Sequence, residues 1–241
     1  HFVGWSGDVT GTSNPLDVLM DGNKNITANF EINRYSLTTI AAHGDIGIAP
    51  IQAFYEHGTL VALTALGEEG YHFVDWSGDA TGISNPLDVV MDGNKNITAN
   101  FEIDTFTIAA STGENGAIDP SGNIIVNYGS DKTFTFTPNT GYHVDSVYID
   151  GVANGAMSAY TFTQVTGVHT IHVSFAINKY TLGVSAENGT VEKSPNQLNY
   201  NHGTTVTLTA TPNTGYHFVG WSGDATGTSN PLDVVMDGNK N

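Results

Sequence analysis

Short runs of alternating apolar and polar residues recur along the whole chain, and turn-forming residues separate them. Such alternation is typical of half-buried β-strands. Between residues 35 and 104 the pattern predicts six strands: Tyr35–Ala41, Ile46–Ile48, Thr59–Ala65, Tyr71–Trp76, Leu87–Met91 and Asn96–Ile103. In the last strand Ile97, Ala99 and Phe101 share one face and polar residues occupy the other. We therefore expect a sheet with one packed and one solvated face.

The connection between the fifth and sixth strands, Met91–Asn96, contains an Asp-Gly pair. Asp-Gly between two alternating runs is a strong hairpin signal. The last two strands are therefore expected to form an antiparallel hairpin.

One stretch of the sequence, His72–Phe101, occurs several times. Its copies are residues 1–30, an altered version that starts at His143, and residues 217–241. Trp5 and Trp76 lie 71 positions apart, and Trp76 and Trp221 lie 145 apart, which fits two further copies. Self-similarity at such a period, about 70 residues, indicates a repeat protein.

The repeat predicts an all-β fold, a tandem array of small antiparallel β modules of about 70 residues each. It divides the chain into four regions: 1–34, the C-terminal half of a repeat; 35–104, a complete repeat; 105–178, a complete but divergent repeat; and 179–241, a repeat that lacks its last strand. The first region carries the strand that the last one lacks, so the two are complementary halves. Because the chain begins and ends inside the repeat, we expect the protein to continue beyond both ends.

The divergent repeat keeps its first half and changes its second. Its Trp-Ser-Gly-Asp segment becomes Ser146–Gly151, and the predicted hairpin becomes Tyr160–Thr163 followed by Thr166–Phe175. We expect the same topology around a different core. Repeats are joined through only two or three residues, such as Asn33 and Arg34, which predicts stiff connections.

The charge balance is strongly acidic, with 24 Asp and Glu against 7 Lys and Arg. An acidic surface repels phosphate backbones and anionic lipids, which argues against nucleic-acid and membrane partners. No apolar run approaches membrane-spanning length. The chain has no cysteine, so neither disulfides nor a cysteine-based zinc site can support the small modules.

The segment Thr204–Trp221, with Thr-Val-Thr-Leu-Thr-Ala-Thr-Pro-Asn followed by Gly-Tyr-His-Phe and a tryptophan, resembles the divergent branch of the internalin B-type B-repeats. The resemblance covers essentially the whole chain. It implies a secreted or surface-attached bacterial or archaeal protein, in which such units act as stalks, spacers or adhesive arrays. It implies no catalysis. The repeat at 105–178 departs from the family pattern because it lacks the tryptophan.

Trp5, Trp76 and Trp221 are candidates for sugar-stacking platforms, but a unit of this size needs a large apolar anchor. We therefore predict that they are core residues. Nine aspartates are candidates for calcium binding: Asp79, Asp88 and Asp92 with their copies Asp8, Asp17, Asp21, Asp224, Asp233 and Asp237. Their spacing is loose and no Asp-x-Asp-x-Asp loop occurs, so turn formation is the expected role. No cofactor is expected, with calcium kept as an alternative.

His169 and His172 lie three apart in a predicted strand, which places them on opposite faces and argues against a shared metal ion. His72 and its equivalents are predicted to be partly exposed sheet residues. No nucleophile stands beside a plausible base, and an enzyme needs one site rather than several copies. The prediction is that the chain is not an enzyme and has no catalytic residues.

Two covalent modifications are conceivable. Asn25, Asn96 and Asn188 begin the N-glycosylation pattern, a short motif that is often unused. Isopeptide crosslinks are a further alternative for Lys24, Lys95 and Lys240. These lysines are predicted to lie in an exposed turn, whereas that chemistry needs burial.

The sequence favours a structural role, as a segment of an extracellular surface fibre, stalk or adhesin. Two alternatives stay open: a multivalent array that binds a surface glycan or protein ligand, and a non-catalytic accessory region of a secreted hydrolase. Expected partners are neighbouring repeats or identical subunits that assemble head to tail, with a strand of one copy completing the last repeat of the next.

Overall fold

A computed structural model describes all 241 residues, which form 23 β-strands and no α-helix. The all-β fold predicted from the alternation pattern is thus confirmed. The strands are distributed over two compact units, residues 1–104 and 105–241. No helix with the length and apolarity needed to cross a membrane is present.

The first unit contains ten strands. They are β1 (Phe2–Gly7), β2 (Ile26–Phe30), β3 (Arg34–Tyr35), β4 (Leu37–Ala41), β5 (Gly44–Ala49), β6 (Tyr55–Glu56), β7 (Leu60–Gly67), β8 (Tyr71–Gly78), β9 (Leu87–Val90) and β10 (Lys95–Ile103). β1 pairs with β2, and β3 pairs with β6. The remaining strands form two three-stranded sheets, in the orders β4-β10-β8 and β5-β7-β9.

A hydrophobic cluster that we call the first core lies between the two three-stranded sheets, because both supply its side chains. Leu63 comes from β7, Trp76 from β8 and Ile97 from β10, and each is at most 1% exposed. The alternation predicted for β10 is correct, since Ile97 and Ala99 are buried while Glu102 is exposed. One face of this sheet packs and the other meets solvent.

The predicted hairpin between the last two strands is wrong. β9 pairs with β7 and β10 pairs with β8 and β4, so consecutive strands belong to different sheets. The connection between β9 and β10 leads from one sheet to the other, and Met91 in it is fully buried in the core. The Met91 N–H donates to the Thr59 carbonyl at 2.9 Å. Further on, the Lys95 N–H donates to the Ser36 carbonyl at 3.0 Å, which starts the pairing of β10 with β4.

The pairing of β10 with β4 is parallel, in register from Lys95 opposite Leu37 to Ala99 opposite Ala41. All other strand pairs of the first unit are antiparallel. The predicted first strand is interrupted at Ser36, because β3 ends at Tyr35 and β4 begins at Leu37. The short strand β6 lies outside the six predicted strands.

The second unit contains thirteen strands. They are β11 (Thr105–Thr112), β12 (Gly116–Asp119), β13 (Gly122–Asn127), β14 (Lys132–Pro138), β15 (Tyr142–Ile149), β16 (Val152–Ala153), β17 (Ala159–Phe162), β18 (His169–Ile177), β19 (Lys179–Tyr180), β20 (Gly189–Ser194), β21 (Tyr200–Asn201), β22 (Thr205–Pro212) and β23 (Leu232–Val235). Their sheets follow the orders β13-β11-β18-β15-β16, β12-β14-β17, β19-β21 and β20-β22-β23.

The second core, within residues 105–178, repeats the plan of the first without a tryptophan. Phe134, Phe136 and Phe162 fill it and are at most 5% exposed. β18 takes the place of β10, because it lies between β15 and β11 and pairs with β11 in parallel. The expectation of one topology around two different cores is correct. The hairpin expectation fails here too, since β17 pairs with β14 instead of β18.

The third core, within residues 179–241, contains only one of the two three-stranded sheets, β20-β22-β23. Tyr200, Val206 and Met236 are its fully buried side chains. Tyr216–Gly220, which align with the start of β8, form no strand. Beside them lies a cleft of about 370 Å³.

Candidate functional site

The tryptophan of the repeat is a core anchor where the core is complete. Trp76 is 1% exposed, and its indole N–H donates to the Ser84 carbonyl at 2.9 Å. Trp5 and Trp221 make the same bond at 2.8 Å, eight residues along the chain, and are partly exposed. The same turn thus follows each tryptophan, whether or not a core covers its ring.

The aspartate of each Trp-Ser-Gly-Asp segment binds the backbone of the asparagine 17 residues along, which in the first core is the second residue of β10. The carboxylate of Asp79 accepts the Asn96 N–H at 2.6 Å, and the Asp79 N–H donates to the Asn96 carbonyl at 2.9 Å. Asp8 and Asp224 do the same with the residues at 25 and 241. These carboxylates act as local backbone acceptors, the role that aspartate commonly has in turns.

A second set of aspartates forms ion pairs with Lys24, Lys95 and Lys240, the lysines considered above for isopeptide crosslinks. Asp21, Asp92 and Asp237 lie 2.6 to 2.7 Å from the ammonium group three residues along. The hydrogen bond from Lys95, followed by its charge, holds the pKa of Asp92 below its ordinary value, and Lys240 does the same for Asp237.

The lysines do not lie in an exposed turn as predicted. Lys95 is the first residue of β10, and its side chain is 18% exposed. Lys24 and Lys240 are 21% and 18% exposed. The partner carboxylates remain 63% to 65% exposed, so each pair is a surface ion pair.

The remaining calcium candidates lie apart from these. Asp88 and Asp233 are exposed on β9 and β23, and Asp233 accepts a hydrogen bond from the Thr207 hydroxyl at 2.6 Å. Asp17 is exposed in the irregular segment that follows Pro15. No three His, Asp or Glu side chains of the 241 residues come together as a metal-ligand group.

His169 and His172 lie on opposite faces of β18, as their spacing predicts. The His169 ring lies 4.7 Å from the ring of Phe162 in the second core, whereas His172 contacts the Ser111 hydroxyl at 2.9 Å. His169 also pairs with Asp150 at 2.8 Å. Partial burial disfavours ionisation of Asp150, but bonds from the Thr170 N–H and His169 outweigh it, and the pKa of Asp150 is lowered.

All three candidate glycosylation asparagines are exposed. Asn25 precedes β2, Asn96 is the second residue of β10, and Asn188 lies in the bend before β20 with a φ of 56°.

A recurring contact that the alternation pattern did not predict lies where one region meets the next. His1, His72 and His143 each contact a polar residue at or next to the end of their own region, Asn33, Asp104 or Asn178, at 3.1, 2.7 and 2.7 Å. We call these contacts the junction latches. In the second and third cases the backbone repeats the link, because the N–H groups of 104 and 178 donate to glycine carbonyls at 2.8 Å.

Two latch residues are also held by the region that follows. The Asn33 carbonyl accepts the His57 N–H at 2.8 Å, and the Asn178 carbonyl accepts the His202 N–H at 2.8 Å. The His202 ring packs on Gly141, whose φ is 86° and where any Cβ would strike the ring. Asn33 and Asn178 are therefore fixed from both sides, within the first and the second unit respectively.

The sequence did contain a signal for the latches. The spacing from His1 to Asn33 and from His72 to Asp104 is 32 residues in both cases. A histidine and a polar residue at constant separation in a repeat point to a contact, but alternation patterns do not register it.

A comparison with models of protein families agrees with the repeat pattern. A family model for the divergent InlB B-repeat domain matches residues 1–34, 35–105, 106–179 and 180–241, the whole of the chain. A solved structure, the Bacillus anthracis TIE protein, is similar with 8% identity and a TM-score of 0.39 over 90% of this chain. The chain spans about half, 51%, of that protein. A comparison with curated proteins returned no match.

Proposed function

Because the chain belongs to the divergent InlB B-repeat family, we propose that it is a force-bearing spacer in a protein of the bacterial cell surface. Its repeats transmit mechanical force between the cell surface and the part of the protein that they hold away from that surface. No catalytic step is part of this role, in line with a repeat family that is generally non-catalytic.

One observation supports this role above all, the parallel pairing of the first and last long strands of each complete core. β4 lies beside β10, and β11 lies beside β18, each over five register pairs. When a core is pulled by its two ends, force acts on the start of one strand and on the end of its neighbour. The hydrogen bonds between them are then loaded in shear, so that they must fail together rather than one by one.

The hydrophobic side chains beside this pair resist the same motion. Ile97 and Ala99 on β10, and Ile171 and Val173 on β18, are buried in their cores. Sliding of the strand would pull these side chains through closely packed neighbours, because interiors are packed as densely as organic crystals. The hydrogen bonds at Asn33 and Asn178 hold neighbouring regions of each unit together. They therefore limit how far the connection between two regions can extend before force reaches the cores.

Composition suits an extracellular spacer. The formal net charge of −17 keeps the surface soluble and disfavours association with anionic membranes. Only 13% of residues are charged, so the coat consists largely of hydroxyl and amide groups.

Single-molecule force spectroscopy tests the role directly, because a chain without cysteine can be held by any two introduced thiols. Arg34→Cys with Glu102→Cys pulls the first core along the β4–β10 pair. We expect one rupture, after which the chain between the two handles extends to about 230 Å in total, at about 3.4 Å for each extended residue.

The matched control keeps the first handle and moves the second. Arg34→Cys with Gly93→Cys loads the same pair from one end, at a position where a Cβ meets nothing within 4 Å. Peeling should require at most half the force of shearing at the same pulling speed. Equal rupture forces in the two geometries would contradict the proposal.

A further inference from the structure

The solvent side of the sheet β5-β7-β9 in the first core is apolar. Alternate residues of β7 face the core, which leaves a second row on the outer side: Leu60, Ala62, Thr64 and Leu66. Leu60 is 55% exposed and Leu66 is 58% exposed. Val90 on β9, the register partner of Leu60, is 51% exposed. We call Leu60, Ala62, Leu66 and Val90 the aliphatic face.

The other two cores carry threonine along the strand that corresponds to β7. β14 and β22 are its equivalents, because each is the middle strand of its three-stranded sheet. Their outer rows begin with Thr133, Thr135 and Thr137 on β14 and with Thr205, Thr207 and Thr209 on β22. Threonine therefore meets the needs of the fold at these positions, and the leucines of the first core are not required for folding. A contiguous apolar surface of this kind marks an interaction site.

The dimensions of the aliphatic face match those of an α-helix. Leu60 and Leu66 are six residues apart on one strand, about 20 Å at about 3.4 Å for each residue. Two neighbouring strands with their side chains are about 10 Å wide, close to the diameter of a helix with its side chains. At about 1.5 Å for each residue, a helix of about fourteen residues covers this length.

Carboxylates border the aliphatic face on both sides. Asp45 on β5 is the register partner of Leu66, and Asp88 on β9 is the register partner of Ala62. Both aspartates are exposed, and β5, β7 and β9 contain no Lys, Arg or His. Two copies of the chain, each with a formal charge of −17, would place like charges against each other here. Charge complementarity therefore favours a cationic partner over a second copy.

We propose that the aliphatic face is the docking surface for a cationic amphipathic α-helix of another protein. The apolar side of the helix would cover Leu60, Leu66 and Val90, and Lys or Arg at its borders would lie beside Asp45 and Asp88. The helix would form a further layer on the sheet, an arrangement that is common in mixed folds. Apolar burial then provides the affinity, and the charged rim determines the association rate and the salt dependence.

The proposed surface gives one repeat of the spacer a partner that the others do not bind. The threonine rows of the second and third cores offer hydroxyl groups where the first core offers leucines. The inference does not rest on the force-bearing role, because the outer side of the sheet β5-β7-β9 takes no part in the β4–β10 pair.

Isothermal titration calorimetry on the 241-residue chain tests the proposal. The probe is a peptide of two Leu-Lys-Lys-Leu-Leu-Lys-Leu units, whose leucines lie on one side of a helix. We expect one peptide to bind each chain. The combined change Leu60→Thr, Leu66→Thr and Val90→Thr should weaken binding at least tenfold. Ile40→Thr is the matched control, because Ile40 is 55% exposed on the other sheet of the same unit, and it should leave the affinity unchanged.

The charged rim is tested separately. Asp45→Asn with Asp88→Asn should weaken binding at least threefold and reduce its dependence on salt concentration, because the charge pairs at the border are lost. A peptide with glutamate in place of every lysine should not bind. This pair of variants also keeps the proposal testable if the triple threonine variant fails to fold.

NMR of the amide groups locates the contact and separates it from general attraction of a cationic peptide to an acidic chain. Shifts should change along β7 and β9 but not along β14, the threonine equivalent in the second core. Absence of binding, equal affinity in a folded threonine variant, or equal shift changes on β14 would overturn the proposal. So would a dimer of the chain without peptide that the threonine variant abolishes, since the occupant would then be a second copy.

Discussion

The same seven residues, His-Phe-Val-Gly-Trp-Ser-Gly, have different structures at His1–Gly7 and at His217–Gly223. The first copy supplies β1, which pairs with β2. The second copy makes only an isolated bridge between Trp221 and Gly227. Because the local sequence is identical, the neighbouring strand must decide which structure forms. This agrees with the view that strand preference reflects packing against neighbours more than an intrinsic backbone preference.

The first core shows the outcome when every neighbour is present. There the heptapeptide differs only by Asp75 in place of glycine, and it forms most of β8. Trp76 falls to 1% exposure, while Trp5 and Trp221 remain partly exposed. A strand partner alone orders the backbone, whereas burial of the indole also needs the opposite sheet.

The largest expected effect comes from supplying the neighbour. Extending the chain after Asn241 by Ile-Thr-Ala-Asn-Phe-Glu-Ile should convert residues 217–223 into a strand and bury Trp221. Burial of two isoleucines and one phenylalanine stabilises the third core by about 5 kcal/mol, at about 1.5–3 kcal/mol for each side chain. Urea denaturation followed by tryptophan fluorescence measures this, with Trp5→Phe and Trp76→Phe present so that Trp221 is the single indole. An extension with serine for both isoleucines and alanine for phenylalanine should leave Trp221 as it is.

Replacing the tryptophan should lower the free energy of unfolding of the first core more than that of the third core. Trp76→Ala should lower the free energy of unfolding of the first core by about 4 kcal/mol, as expected for a large buried aromatic. Trp221→Ala should cost the third core about 1 to 2 kcal/mol, because less of its apolar area is buried. Thermal unfolding of the two variants compares them. Equal losses would show that the indole is buried to the same degree in both places.

A smaller effect is expected at the aspartate that binds the start of the central strand. Asp79→Ala leaves the Asn96 N–H without its acceptor and should cost about 1 kcal/mol. Asp224→Ala removes the same bond to Asn241, but no strand of the third core depends on it. Hydrogen exchange of the amide at 96 provides the measurement. The amide should lose protection in Asp79→Ala, and persistence of full protection would contradict the capping role.

The smallest effect concerns pH and the second core, where Asp150 binds the start of β18. Its pKa is lowered on folding, so the ionised carboxylate stabilises the fold above the unfolded-state value of about 3.9. This contribution is lost as pH falls from there through the folded pKa. Urea denaturation at pH 7 and pH 3 should therefore show less acid destabilisation in Asp150→Asn than in the unmodified chain. Glu187→Gln, in an exposed turn, should behave like the unmodified chain.

Sequence patterns predicted the features that depend on nearby residues. Alternation placed Ile97 and Ala99 on the packed face, and the small size of the unit predicted Trp76 as its anchor. The same reasoning failed at the Asp-Gly connection after Met91, which looks like a hairpin turn. Met91 is buried by residues that are distant in the sequence, and the hydrogen bond from Lys95 to Ser36 also joins distant residues. No local pattern contains them, so the parallel pair could not be found from alternation.

The junction latches escaped prediction for a related reason. His72 was expected to be partly exposed, and its side chain is 55% exposed, but its partner Asp104 lies 32 residues away. The two positions are polar and face solvent, where sequence patterns carry little information on pairing. Only their constant spacing in the repeat connects them.

The central position of β10 also determines the order of events while the protein is being made. Lys95 pairs with Leu37, so the sheet β4-β10-β8 lacks its middle strand until the end of the repeat has emerged from the ribosome. The sheet β5-β7-β9 can assemble earlier, because all of its strands come first. At about 5–20 residues per second, a repeat of seventy residues takes several seconds to appear. The repeats 35–104 and 105–178 are therefore each completed by their own final strand, and they close one after the other in the direction of synthesis.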